Sequence, residues 1–115
     1  MNATASIMIE PLIKRHIFRN EEEALRELLR SYILQQITDL QQRIETFTHK
    51  YGMNFQQFQE YLHERSVLLQ KGDLSQEQRQ TLGRAVMQEE DDWFDWKTAT
   101  EMLESWFGIR QEMTP

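Results

Sequence analysis

Between residues 20 and 51 the apolar positions fall on one side of a helix. Leu25, Leu28, Leu29, Tyr32 and Ile33 form a wide apolar face. The pattern then narrows to Ile33, Ile37, Leu40, Ile44, Phe47 and Tyr51, in alternating steps of four and three. That alternation is a heptad seam. No Pro or Gly interrupts the stretch. Both ends are marked. Asn20 and Glu23 have capping-box spacing, and Glu21 to Glu23 put negative charge where the helix dipole favours it. His49 and Lys50 occupy the last turn, and Gly52 can take the left-handed conformation that ends a helix. The prediction is one long helix over about 20–51.

Two further helical regions follow. Asn54 and Gln57 repeat the capping-box spacing, with Met53 and Phe58 at the staple positions. They open a helix from Phe55 to about Leu69 that buries Phe55, Phe58, Tyr61, Leu62 and Leu69. A turn of only a few residues should lay this helix beside or across the end of the long one. Gly72 and Asp73 break it, and Ser75 with Gln78 opens the last region. There Leu82, Val86, Glu89, Trp93, Trp96, Thr100, Leu103 and Phe107 again alternate four and three. Gly83 weakens this region, the acids at 89–92 mark a candidate break, and Gly108 a candidate stop. Upstream, Pro11 suits the first turn of a short helix ending near Arg15, with a strand over 5–9 as the alternative.

About 30 helical residues span roughly 45 Å, whereas a compact domain of this size has a radius of gyration of about 13 Å. The long helix must therefore pair with another long helix or with a second chain. The matched phases of 33–51 and 82–107 favour an antiparallel pair. The expected fold is all-α: an elongated helical bundle or hairpin with a long central helix, one domain over 1–115, and loose ends at 1–6 and 109–115. The seam residues Ile33, Ile37, Leu40, Ile44 and Phe47 are expected to form the core or a homodimer contact.

The 115 residues are 39% hydrophobic and 28% charged, with net charge −6. Such a chain is neither disordered nor rich enough in apolar runs to span a membrane. No basic region precedes the first apolar stretch, so no signal peptide is expected. With no cysteine, disulfide and thiolate chemistry are excluded, in keeping with a cytoplasmic location. Residues 71–115 carry five cations against ten acids. That balance disfavours nonspecific nucleic-acid binding and favours a basic partner. The one basic cluster, Lys14, Arg15, His16 and Arg19, is the sole candidate for a nucleic-acid contact; its plainer role is a solvated turn.

No nucleotide-binding, metalloprotease or hydrolase motif occurs. His63 with Glu60 and Glu64 reads as a solvated helix face before it reads as a metal site. Asp91, Asp92 and Asp95 lack the glycine and ligand pattern of a calcium loop. Their plainer role is an acidic first turn capped by Asp91 or Asp92. No enzyme activity, metal or cofactor is expected.

All three tryptophans lie in the last region, in Asp91-Asp92-Trp93-Phe94-Asp95-Trp96 and at Trp106. Trp93, Trp96 and Leu103 suit a core stripe. Phe94 and Trp106 are harder to bury with them. Aromatics among acids suit recognition of a basic partner, so Asp91, Asp92, Phe94, Asp95 and Trp106 are the candidate partner-binding residues.

The stretch Phe18-Arg19-Asn20-Glu21-Glu22-Glu23-Ala24-Leu25-Arg26-Glu27-Leu28-Leu29-Arg30-Ser31-Tyr32-Ile33 resembles the helix of ribbon–helix–helix and related antitoxins of bacterial toxin–antitoxin operons. Lys50–Met53, Phe55–Phe58 and Asp92–Trp96 are similar to segments of small helical antitoxin-like proteins. The pattern departs from true ribbon–helix–helix proteins, because a strand at 5–9 and a helix from 20 leave no room between them for their first helix, and the usual Gly-x-Ser before the second helix is absent. Nucleic-acid binding by the isolated protein is therefore not expected. The resemblance implies a non-enzymatic protein that binds and neutralises a basic toxin, commonly a ribonuclease. The alternative is a helical homodimerisation or adaptor protein with no toxin.

Overall fold

A computed structural model describes residues 3–113. It contains α1 (Ala3–Lys14), α2 (Glu21–Tyr51), α3 (Phe55–Lys71) and α4 (Gln76–Met113), and among the described residues no strand. The fold is an elongated all-α bundle of 72 × 26 × 23 Å, with a radius of gyration of 22.6 Å.

The capping chemistry sets the helix ends. At α2 the Glu23 amide donates to Asn20 Oδ1 at 2.8 Å, while the Glu23 carboxylate accepts from the Arg19 amide at 2.9 Å. The box is thus closed one residue further out than its usual form. At α3 both bonds of the Asn54–Gln57 box are made, and Ser75 and Gln78 make both at α4. Gly52 has φ 64, and its amide donates to the Thr48 carbonyl. This turn uses glycine's left-handed freedom.

α4 is the spine. At 38 residues it is about 57 Å long. Tyr32 meets Trp106, Phe47 meets Trp96 and Tyr51 meets Asp92, so numbers fall along α4 as they rise along α2. The pair is antiparallel, as the matched heptad phases predict. α3 also packs on α4, with Phe55 on Trp93 and Arg65 on Glu89. It takes up the spine where α2 leaves it, and meets the last residue of α2 through Phe58 and Tyr51, whose ring centroids are 4.2 Å apart. α1 folds back on α2, where Ile9 is buried and Ala24 has no exposed surface.

The seam is intramolecular. Ile33, Ile37 and Leu40 are buried, Ile44 and Phe47 half-buried, all on the α4 side of α2. Where the three long helices meet, Trp96 is 1% exposed and lies against Phe47, Phe55 and Phe58. Phe58 and Leu62 are buried on α3, whereas Phe55, Tyr61 and Leu69 are half-buried.

Several expectations need correction. Residues 3–6 are helical, so Pro11 lies well inside α1 and not in its first turn. Residues 1 and 2 are outside the described residues. The region 83–92 is unbroken, because Glu89 and Asp92 are paired with cations on neighbouring helices. Neither Asp91 nor Asp92 caps a helix. Gly108 does not stop α4, which runs on through 109–113; a glycine costs a helix only about 1 kcal/mol relative to alanine.

Candidate protein-binding surfaces

Three arrangements carry the polar and exposed apolar chemistry. The first is a polar knot at the three-helix junction. Asp92 is buried on the α2-facing side of α4. Its carboxylate accepts from Lys50 Nζ at 2.6 Å and from the Tyr51 hydroxyl, with Gln88 at 3.4 Å. Beside it, Arg65 Nε donates to Glu89 Oε2 at 2.9 Å, and both residues are largely shielded. The sequence pattern exposes Glu89 as a polar residue in an apolar stripe. It gives no such signal for the Lys50–Tyr51–Asp92 group. The antiparallel packing of α2 on α4, which brings the end of α2 level with Asp92, joins those residues.

Burial pushes the Asp92 carboxyl upward, but hydrogen bonds from Lys50 and Tyr51 outweigh it and hold the group below its usual range. Burial, and then the bond to Asp92, pushes the Tyr51 hydroxyl well above its usual range. The two shifts give opposite limbs. The Asp92 contribution is complete above its unfolded value of about 3.9 and is lost as pH falls through the lower folded value. The Tyr51 contribution is complete below about pH 10 and is lost as pH rises beyond it. Urea midpoints measured against pH should be flat between about 5 and 9 on this account. Asp92→Asn should lower the plateau and shrink the loss below about pH 4. An acid limb equally steep in Asp92→Asn would show that other carboxyls carry it.

The knot is structural in form. Each of its carboxylates is paired with a cation on a neighbouring helix, and no group of three or more His, Asp or Glu among the described residues is placed to hold a metal. His63 and its acidic neighbours line an open groove along α3. Asp92 therefore faces inward, apart from the other four candidate partner-binding residues.

The second arrangement is the acidic aromatic patch on the outer side of α4. Phe94 stands two residues before buried Trp96, about 200° round the helix, and is 63% exposed. Asp91 and Asp95 lie one turn apart beside it. Both are exposed, and their carboxylates pair with no cation among the described residues.

The third lies at the α1 end of the spine. Leu25, Leu28, Leu29 and Tyr32 form an exposed stripe on α2 at spacings of three, four and seven. Met102, Ile109 and Met113 form another on α4, with half-buried Trp106 between them. The edge-on contact of Tyr32 with Trp106, 5.8 Å between ring centroids, joins the two stripes into one face. Trp106 thus belongs to this face and not to the Phe94 patch, from which it lies about 120° round the helix.

The chain matches no family model, no curated protein and no solved structure. No helix among the described residues is long and apolar enough to cross a membrane. The basic cluster is engaged locally: Lys14 pairs with Glu10, Arg15 donates to the Pro11 carbonyl and Arg19 pairs with Glu23. Lys14 and Arg19 are thus partly neutralised within their own turns, which weakens the cluster as a phosphate-binding surface.

Proposed function

We propose that this chain is a non-enzymatic, cytoplasmic protein-binding module that holds and neutralises a basic protein, in the manner of an antitoxin. The observation that carries the reading is Phe94, exposed opposite the buried face of α4 and flanked by the unpaired carboxylates of Asp91 and Asp95. A large aromatic left on the water side is a favourable anchor once covered, and the acids steer a cationic surface toward it. The antitoxin form rests on the resemblance of residues 18–33 and of the Lys50–Met53, Phe55–Phe58 and Asp92–Trp96 segments. The alternative, an adaptor with no toxin, shares the surface but requires no basic partner.

Affinity capture of the natively expressed protein, with identification of what accompanies it, tests the reading. A small basic protein held by the wild type and lost with Phe94→Ala or Asp91→Asn/Asp95→Asn supports it. Its equal retention by those variants would move the site elsewhere, and recovery of acidic or neutral partners alone would sink the basic-partner reading.

A further inference from the structure

The two joined stripes at the α1 end form a broad apolar face that the described residues leave uncovered. About half of the large exposed apolar side chains of the described residues lie in them. We propose that this face is the contact with a second copy of the chain, the two α2–α4 pairs closing into a four-helix bundle.

Area carries the argument first. From the exposed fractions, the stripes present on the order of 600 Å² of apolar side chain, at the top of what a monomer usually leaves in one patch. With a polar rim they approach the roughly 800 Å² per partner of a standard interface. Geometry comes next. Each stripe has the three-and-four spacing that packs against a facing helix. Because the stripes are side by side on antiparallel helices, a twofold axis sets the α2 stripe of each copy on the α4 stripe of the other. The Tyr32–Trp106 pair then lies near the axis, where aromatic anchors contribute most. Shape agrees. A radius of gyration of 22.6 Å, against about 13 Å for a compact chain of this length, leaves this end flanked by few helices.

Charge distinguishes this occupant from the basic partner. Beside the stripes, α2 carries Glu21 and Glu22 against Arg26, and α4 carries Glu101 and Glu112 against Arg110. Both rims are acidic, so salt screens their repulsion and leaves the dimer intact or tighter. Binding of a basic protein at Phe94 weakens with salt instead. Phe94 stays outside the dimer contact, so each dimer presents two such patches.

Sedimentation of the full chain at tens of micromolar should give twice the single-chain mass of 13.9 kDa. Leu29→Glu with Ile109→Glu should give the single-chain mass, a dimer weakened by about hundredfold or more, with unchanged helicity because both side chains are already exposed. Should that variant lose helicity, Leu29→Ala with Ile109→Ala provides the same test without added charge, and should weaken the dimer by about tenfold or more. Phe94→Glu should remain a dimer. A wild type that sediments as one copy throughout, substituted stripes that leave the dimer unchanged, or a dimer lost equally with Phe94→Glu would each overturn the proposal.

Discussion

Trp96→Ala is expected to destabilise the chain by about 3–5 kcal/mol, the usual range for removing a buried aromatic. The loss should fall near the top of that range. Trp96 is 1% exposed and touches rings from both other long helices: Phe47 on α2, and Phe55 and Phe58 on α3. Among the described residues, no other ties α2 and α3 to the spine through so many rings. The cavity would lie where three helix surfaces meet, and the stiff helices on either side cannot close over it. A domain of this size is stable by only about 5–15 kcal/mol, so thermal unfolding should shift by many degrees. Phe94→Ala, on the opposite side of the same turn, should change melting little. Equal destabilisation by the two substitutions would place Phe94 in the core and remove the partner surface.

Arg65→Ala should cost about 3 kcal/mol or more, because it strands a shielded carboxylate. Arg65 and Glu89 side chains are 26% and 12% exposed, and their 2.9 Å contact is the ionic link between α3 and α4. Truncating Arg65 leaves Glu89 on the apolar stripe without its cation. Replacing both together, Arg65→Met with Glu89→Leu, should restore most of the loss, since a packed apolar pair of similar volume is often as stable as a buried ion pair. Denaturant midpoints of the two singles and the double would give the coupling. If Arg65→Ala costs no more than an exposed pair such as Arg26 with Glu22, Glu89 reaches water and the pair is not part of the core.

Much of the fold was legible because its signals are local. The boundaries of α2, the three capping pairs and the left-handed Gly52 all follow from residues within one or two turns of each other. The heptad phases of 33–51 and 82–107 also foretold the antiparallel pair. What was not legible depends on distance along the chain. Lys50, Tyr51 and Asp92 lie about forty residues apart and show no shared motif, so Asp92 read as a surface acid when it is a buried acceptor. The course of α3 turned on how far three turn residues deflect the chain, which periodicity cannot encode. Gly83, Gly108 and the acids at 89–92 read as breaks, but tertiary packing and ion pairing outweigh a local preference of about 1 kcal/mol. At the candidate surfaces, helical spacing placed Phe94 outward correctly. It did not separate Trp106 from that patch, because its contact with Tyr32 joins residues from two helices.

The Phe94 surface is tested by the affinity of the captured partner for the purified chain, for wild type and Phe94→Ala, at low and at high salt. The account predicts a basic partner, bound more than about tenfold more weakly after Phe94→Ala with melting unchanged, and more weakly in high salt for both proteins. Affinity that is indifferent to both Phe94→Ala and salt would contradict it.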